Sequence, residues 1–241
     1  MTRRRWIADE VSGDRAALLG PHADHLARVL RARVGQEFDI AIGDVVRRGR
    51  VSAIHDGRIE FELAEEVAAA SELPVTLALS IFKFDHMEWA IEKCTELGVR
   101  EIVPVVAQRT DSHLASAAGK RAERWRRIAR EASEQSRRLH SPQVHDPVKV
   151  KAALDLPGML RIFLAEFNAS VSLKDALQPV PGHSAAAVSV AIAVGPEGGW
   201  TEAEHQAFTT AGWTAASLGS TILRAETAAI AALALVAAEL Q

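Results

Sequence analysis

Alternating apolar and polar positions dominate the first 70 residues of the chain. Short runs of this kind cover residues 37–42, 45–54 and 58–63, and turn-forming pairs that contain glycine separate them. Such alternation is typical of antiparallel strands with one buried face. Residues 22–31 place apolar side chains at helical spacing and predict one short helix. The pattern therefore indicates a small β-rich module that ends near residue 72.

A connector and a change of pattern follow this module. Pro74 disfavours helix in the residue before it and marks the connector. Beyond it, apolar runs alternate with longer helical patterns, which predicts an α/β domain with a largely parallel sheet. We predict two domains, residues 1–72 and 73–241. The strands predicted in the second domain cover residues 75–83, 101–107, 161–166, 188–194 and 215–218, and its helices cover 86–97, 118–139, 202–211 and 226–240.

The strand predicted at 188–194 continues into the loop Gly195-Pro-Glu-Gly-Gly199. Glycines let a ligand approach the backbone closely because they have no Cβ atom. Ligands of α/β sheets bind at the carboxyl ends of strands, where this loop lies. The loop lacks both the dinucleotide-binding pattern and the lysine of a P-loop. A tight strand-to-helix turn, with Thr201 as helix cap and Glu204 completing a capping box, explains the same residues equally well.

A second candidate loop, residues 217–227, follows the last predicted strand. Arg224 and Glu226 stand two residues apart there, at the start of the last helix. A solvated ion pair that suits the helix dipole explains them without any chemistry. Leu218, Ile222 and Leu223 are apolar residues in a loop, however, and they suit a pocket wall around a flat ring. Both interpretations stay open on these residues alone.

Charge is distributed unevenly along the chain. The net charge of −3 argues against a uniformly basic nucleic-acid binder, yet residues 141–241 carry only 5 of the 28 basic residues. Residues 120–138 of the predicted long helix hold eight cations and three acids. A charge run is usually a solvated face, but pairing within the helix does not account for this excess. With the arginines of the first module it predicts a surface for RNA or DNA phosphates. The proposed contacts are Arg4, Arg28, Arg31, Arg33, Arg137 and Arg138.

Simple features exclude several classes of protein. The single cysteine, Cys94, allows neither an internal disulfide nor a thiolate zinc site, and the histidines form no metal-binding pattern. The basic N-terminus runs into acidic residues without the apolar stretch of a signal peptide. The longest apolar run, residues 228–238, is about half the length that a membrane span needs. We expect a cytoplasmic protein without a metal ion or membrane attachment.

Five blocks of the sequence resemble a known family, in that family's order. The two loops read Gly195-Pro-Glu-Gly-Gly-Trp-Thr-Glu-Ala-Glu204 and Leu218-Gly-Ser-Thr-Ile-Leu-Arg-Ala-Glu-Thr-Ala228. The upstream blocks are His25-Leu-Ala-Arg-Val-Leu-Arg31, Glu92-Lys-Cys-Thr-Glu-Leu-Gly-Val99 and Glu131-Ala-Ser-Glu-Gln-Ser-Arg-Arg138. Together they span essentially the whole chain and resemble the RsmE family, the 16S rRNA uracil-N3 methyltransferases of the SPOUT superfamily. Thr221 and Ala225 depart from the family pattern, which has Arg and Thr there.

The resemblance implies a PUA-like β-barrel for RNA binding in residues 1–72. It implies an α/β SPOUT domain with a C-terminal trefoil knot in residues 73–241. The implied enzyme is a homodimer that uses S-adenosylmethionine to methylate N3 of uracil 1498 in 16S rRNA of the small ribosomal subunit. The implied cofactor-binding residues are Leu164, Ala165, Glu166, Val194, Gly195, Pro196, Glu197, Gly198, Gly199, Leu218, Gly219, Ile222, Leu223, Arg224 and Thr227.

The implied reaction gives two residues candidate roles. N3 of neutral uracil carries a proton and is a poor nucleophile, so methylation requires loss of that proton. Glu226 is the candidate proton acceptor, and Arg224 is the candidate that stabilises negative charge on the uracil carbonyls. Three alternatives stay open: a ribose 2′-O methyltransferase of the same superfamily, a non-catalytic RNA-binding protein, and a phosphate-binding enzyme that uses the glycine loop.

Overall fold

The computed structural model describes residues 5–67, 73–136, 138–167, 169–178, 182, 184 and 187–240. The chain divides into two compact units. The first combines Met1–Ser71 with Ser133–His140, and the second combines Glu72–Ala132 with Ser141–Gln241. Residues 133–140 lie beyond the boundary predicted near residue 72, yet they group with the first unit.

A small sheet forms most of the first unit. Its strands are β1 (Arg5–Ile7), β2 (Glu10–Ser12), β3 (Arg15–Leu19), β4 (Glu37–Ile42), β5 (Val45–His55) and β6 (Arg58–Val67). Across the described residues the strand order is β1-β4-β5-β6-β3-β2, with β1 and β4 parallel and the other neighbours antiparallel. The alternation predicted for β4, β5 and β6 is confirmed, because Ile40, Val51 and Phe61 point into one buried core.

The predicted helix at residues 22–31 is not a single α-helix. A short α-helix, α1 (Gly20–Asp24), is followed by a π-helical turn over His25–Val29. Leu26 is fully buried in this turn, and Leu30 N donates to His25 O across five residues at 3.1 Å. Arg31 follows two residues after this turn, and its φ of 51° is left-handed. The helical spacing of apolar residues correctly indicated a helix but did not distinguish an α-turn from a wider π-turn.

A parallel sheet forms the centre of the second unit. Its strands are β7 (Leu73–Ser80), β8 (Val99–Val106), β9 (Gln143–Val144), β10 (Val148–Lys149), β11 (Leu160–Leu164), β12 (Val171–Ser172), β13 (Val190–Val194) and β14 (Thr214–Ser217). In the described part of the chain the order is β10-β8-β7-β13-β11-β14-β12, and β9 pairs with β8. The five predicted strands are confirmed as β7, β8, β11, β13 and β14, whereas the two-residue strands were too short to give a sequence pattern.

Helices cover both faces of this sheet. They are α2 (Phe84–Glu96), α3 (Ser112–Ser136), α4 (Val150–Ala153), α5 (Leu173–Ala176), α6 (Glu202–Thr210) and α7 (Ala225–Leu240). Alternate strand residues enter separate cores: Val75, Leu77 and Leu79 pack on the side of α2, α3 and α7, whereas Ala78 packs on the side of α6. Strands buried on both faces explain the continuous apolar runs in the sequence. None of the helices in the described residues is long and apolar enough to cross a membrane.

Strand order brings the two candidate loops together. β11 lies between β13 and β14, and it is parallel to both. The segments that follow these three strands therefore start at the same edge of the sheet. They begin at Leu164, Val194 and Ser217, although these residues are far apart in the sequence. This edge is where the predicted cofactor residues meet.

Candidate active site

A cavity of about 1130 Å³ opens between the three strand-end segments, within the second unit. Every residue of the predicted cofactor set except Thr227 lines it, and so does Glu226. Thr227 is exposed in the first turn of α7. Successive helical side chains diverge by about 100°, so Thr227 points away when Glu226 points inward. The structure thus brings predicted residues of three separate segments, 164–166, 194–199 and 218–226, together around one cavity.

The glycine loop is both a helix-capping turn and a wall of the cavity. Thr201 accepts a hydrogen bond from Glu204 N, and the Glu204 carboxylate accepts one from Thr201 N, so the predicted capping box is confirmed. Gly199 N donates to Pro196 O at 2.8 Å, which closes a turn, and Gly199 has a φ of 68° that favours glycine. The structural and the ligand-binding interpretations of this loop are therefore compatible in one geometry.

The segment after β8 holds the glycine loop in place. Arg109 donates through Nη1 to Gly198 O at 2.6 Å and to Trp200 O at 3.3 Å. Gln108 N donates to Glu204 Oε1 at 2.7 Å. A charged donor fixes carbonyl groups more strongly than a neutral one. These contacts set the position of the loop through residues that are about 90 positions away in the sequence.

Trp200 joins the glycine loop to the end of β11. Its indole Nε1 donates to Leu164 O at 3.1 Å. Its ring meets the Phe208 ring edge-on, with centroids 4.8 Å apart. Gly195 faces the same indole, because a Cβ atom there would lie 3.4 Å from the ring. The tryptophan therefore fixes two of the three cavity segments relative to each other.

At another part of the cavity wall, Glu226 is hydrogen-bonded to His86. His86 Nδ1 lies 2.8 Å from Glu226 Oε1, and the Glu226 side chain is only 5% exposed. Arg224 lines the same cavity and is exposed. A buried carboxylate beside an accessible guanidinium provides a proton acceptor and a positive charge in one cavity.

Five ionisable cavity residues were not singled out from the sequence: Lys83, His86, Arg109, Glu202 and His205. Lys83 and His86 follow β7, and β7 is the parallel neighbour of β13. The rule that ligands bind at strand carboxyl ends also applies to β7 and β8. It therefore supplied a signal for Lys83, His86 and Arg109, but not for His205, which lies inside α6.

The structure places four of the predicted RNA-binding arginines, Arg28, Arg31, Arg33 and Arg138, in the first unit. Arg28 is exposed and pairs with Asp56 at 2.8 Å and with Asp24 at 3.6 Å. Arg31 and Arg33 are exposed on the segment that follows the π-turn. The other three members of the set are less accessible or undescribed: Arg138 is partly buried, and Arg4 and Arg137 lie outside the described residues.

The excess of cations on α3 has partners outside that helix. Arg121 and Arg124 both pair with Glu88 on α2. The hydrogen bond to Glu88 raises the pKa of Arg124, and the bonds to Asp146 and then to Glu123 raise that of Arg126. Much of the charge run thus serves packing within the second unit. Ion pairs between distant segments leave no local pattern, so these partners were not predicted, and an RNA surface on this helix stays a prediction.

Among the described residues, no group of three or more His, Cys, Asp or Glu side chains forms a metal-binding cluster. Cys94 is buried on the inner face of α2, as its place in the apolar pattern predicted. Burial raises the pKa of its thiol from 9.0 to about 12. The thiol is therefore neutral and is part of the core.

Comparison with known proteins gives one consistent result. A family model for an RNA methyltransferase domain matches residues 69–237. The ribosomal RNA small subunit methyltransferase E of Synechocystis is 34% identical over 90% of this chain and 71% of its own length, and that of Mycobacterium bovis is 32% identical over 92% and 86%.

The likeness extends to a solved structure. The ribosomal RNA small subunit methyltransferase E of Neisseria gonorrhoeae, bound to S-adenosylmethionine, is 31% identical. It superposes with a TM-score of 0.80 and covers 97% of this chain and 96% of that one. Because the family model over residues 69–237 agrees with relatives that cover about nine-tenths of the chain, this chain belongs to the ribosomal RNA small subunit methyltransferase E family of RNA methyltransferases.

Proposed function

We propose that this protein transfers a methyl group from S-adenosylmethionine to N3 of uracil 1498 in 16S rRNA of the small ribosomal subunit. The observation that carries the proposal is the convergence of three strand-end segments with Arg224 and Glu226 around one cavity. The named relatives act on small-subunit rRNA, and the Neisseria relative binds the cofactor. The choice of N3 as the methylated atom is what the resemblance of five sequence blocks to the RsmE family implies.

The cavity fits S-adenosylmethionine in size and chemistry. Leu164, Leu218 and Leu223 offer an apolar wall for a flat ring, and the glycine loop offers backbone groups without side chains. Glu166 and Glu197 place negative charge beside a cationic ligand. Typical ligand pockets measure about 300–1,000 Å³, and this larger cavity leaves room for a target base beside the cofactor. When bound, the cofactor supplies an electrophilic methyl group on a positively charged sulfur.

Residues of the chain supply the acid–base chemistry. Glu226 accepts the proton of uracil N3, so that the nitrogen lone pair becomes available for attack. Arg224 stabilises the negative charge that spreads onto the neighbouring carbonyl oxygens. The burial of Glu226 keeps water away from the carboxylate, while Arg224 remains accessible to the RNA. Glu226 is therefore buried, as suits a proton acceptor, and Arg224 is exposed, as suits a contact with the substrate.

The first unit contributes contacts to the RNA backbone. Arg28, Arg31 and Arg33 project from one segment, which includes the π-turn and the left-handed Arg31. Unusual backbone of this kind often occurs at binding sites. Guanidinium groups suit phosphate oxygens because they donate in a planar fork. We include Arg4, Arg137 and Arg138 in the same proposed surface.

The finer description of the fold belongs to this proposal. We propose that residues 1–72 are a PUA-like barrel and that residues 73–241 are a SPOUT domain whose C-terminal part forms a trefoil knot. The parallel order β7-β13-β11-β14 supports the second assignment, because it lets three strand-end segments surround one ligand. We further propose that the protein acts as a homodimer in the cytoplasm, where small subunits are assembled.

One experiment tests the reaction and its site. Small subunits that lack the modification are incubated with the protein and S-adenosylmethionine, and the RNA is digested to nucleosides for mass spectrometry. We expect N3-methyluridine, located at position 1498 by fragment mapping. Methylation on ribose would establish the 2′-O alternative. Absence of methylation together with absence of cofactor binding in calorimetry would establish a non-catalytic RNA-binding protein.

The Glu226→Gln variant tests the proton acceptor in the same assay. It keeps the size of the side chain but removes the carboxylate, and loss of a general base typically slows a reaction by about 10²–10⁴-fold. We expect unchanged cofactor affinity with strongly reduced methylation. Wild-type rates in this variant would remove Glu226 from the acceptor role.

A further inference from the structure

His86 is the side chain that contacts the proposed proton acceptor. Its Nδ1 lies 2.8 Å from Glu226 Oε1. The two residues belong to the first turns of α2 and α7, which pack against each other on one face of the sheet. We infer that His86 is a positioning residue for methyl transfer: it orients the Glu226 carboxylate by donating a hydrogen bond from Nδ1. This inference rests on the proposed function.

In this arrangement the two carboxylate oxygens of Glu226 have different roles: one contacts His86, and the other faces the substrate. A carboxylate that accepts a proton from the substrate starts ionised and only accepts hydrogen bonds, so the proposed reaction requires the Nδ1 of His86 to be the donor in this contact. The bond occupies Oε1 and leaves Oε2 of Glu226 for the proton of uracil N3. Without the donor, a carboxylate that is 5% exposed has an unmet hydrogen-bonding need and rotates towards other donors. Its direction towards the substrate then changes.

The second ring nitrogen of His86 does not compete for this role. Its Nε2 lies 3.7 Å from Asp85 Oδ2, which is beyond hydrogen-bond distance, and Asp85 is largely exposed. The cations that line the same cavity, Lys83, Arg109 and Arg224, are exposed. His86 thus combines a fixed contact to a buried carboxylate with partial access to the cavity.

Three substitutions separate this role from a general structural one. His86→Asn places an amide nitrogen where Nδ1 stands, His86→Gln places it where Nε2 stands, and His86→Leu removes the donor. We expect His86→Asn to keep kcat within about threefold of wild type. We expect His86→Gln and His86→Leu to lower kcat by about tenfold, the effect of removing one hydrogen bond to a charged group. The KM for small subunits and the calorimetric Kd for S-adenosylmethionine stay unchanged.

A spectroscopic measurement tests the contact without any turnover. In protein labelled with ¹⁵N-histidine and free of cofactor, we expect the His86 Nδ1 to carry the proton, and we expect Glu226→Leu to shift this signal. A His86 signal that Glu226→Leu leaves unchanged would overturn the inference, even if His86→Leu fails to fold.

The outcomes distinguish this inference from the proposed function. Wild-type kcat in His86→Leu, or an equal loss in His86→Asn and His86→Leu, would overturn the positioning role while leaving the methyltransferase intact. Absence of N3-methyluridine with the wild-type protein would instead refute the proposed function. Wild-type rates in Glu226→Gln would refute the acceptor, and with it any role of His86 through that residue.

Discussion

Arg109 donates through Nη1 to the carbonyl oxygen of Gly198 at 2.6 Å. This hydrogen bond connects the end of β8 to the middle of the glycine loop, across about 90 residues of sequence. Glycine itself has no side chain through which the loop can be anchored. The loop therefore depends on a donor from elsewhere to hold its carbonyl groups in place.

Arg109→Ala should weaken the affinity for S-adenosylmethionine by about tenfold, because hydrogen bonds from charged donors contribute about 1.5–3 kcal/mol. Arg109→Lys should recover only part of this affinity, since an ammonium group lacks the planar fork. Calorimetry with the cofactor measures both. Arg100→Ala is the control, because Arg100 is exposed on β8, the strand that precedes Arg109. Equal affinities for all variants would show that the loop holds its shape without Arg109.

Trp200→Phe should separate the hydrogen bond from the ring packing. The phenyl ring still meets Phe208, but it cannot donate to Leu164 O. We expect the free energy of unfolding in urea to fall by about 0.5–1.5 kcal/mol. Trp89→Phe, at an exposed position of α2, should leave it nearly unchanged. A similar decrease in both variants would indicate that the hydrogen bond to Leu164 contributes nothing specific.

Gly199 and Gly119 should respond in opposite directions to alanine. Gly199 has a φ of 68°, so alanine there is strained even though its Cβ meets open space. We expect a decrease of about 1 kcal/mol in unfolding free energy. Gly119 lies within α3, also with open space around it, and alanine should stabilise the helix by about 0.5–1 kcal/mol. The same sign for both changes would contradict the conformational argument.

The segment that holds Arg28, Arg31 and Arg33 should account for part of the salt dependence of RNA binding. We would change residues 28 and 33 to Ala, and residue 31 to Gly so that its left-handed backbone is kept. The slope of log affinity against log salt should become shallower by about 0.7–0.9 for each phosphate that the variant no longer neutralises. Cofactor affinity should not change. Arg15→Ala, on β3 of the same unit, is the control; an equal effect there would argue against a localised surface.

The buried Cys94 should cause stability to decline at alkaline pH. Burial raises its pKa from 9.0 to about 12 in the folded chain. Below pH 9 the thiol is protonated in both states, so stability there does not depend on it. Between pH 9 and about 12 the unfolded chain releases the proton first, and stability falls. Cys94→Ala should show a shallower decline in urea unfolding across this range. In native protein at pH 8, thiol reagents should label Cys94 only after unfolding.

Local chemistry explains what the sequence could predict. The capping box of Thr201 and Glu204 depends on residues three apart, and the turn at Gly199 depends on glycine, so both were visible before the structure. The continuous apolar runs likewise depend on neighbouring residues in the sequence, and they predicted the buried parallel strands. The strand-end rule placed the two candidate loops at ligand-binding positions, whereas the full set of cofactor residues came from the resemblance to the RsmE family.

Pairings between distant segments explain what the sequence could not predict. His86 and Glu226 are 140 residues apart, and nothing around either residue indicates the other. Arg121 and Arg124 likewise pair with Glu88 on another helix, and the sequence of their own helix gives no sign of this partner. The π-turn at His25–Val29 went unpredicted because its apolar spacing resembles that of an α-helix.

The packing of α2 against α7 also fixes when activity becomes available during synthesis. α2 supplies His86 early in the second unit, whereas α7 supplies Glu226 near its end, and the cavity segments lie between them. A nascent chain that has not yet folded its last helix lacks the proposed acceptor, and His86 then has no carboxylate to orient. The protein therefore gains the ability to modify RNA only after nearly the whole second unit has left the ribosome that makes it.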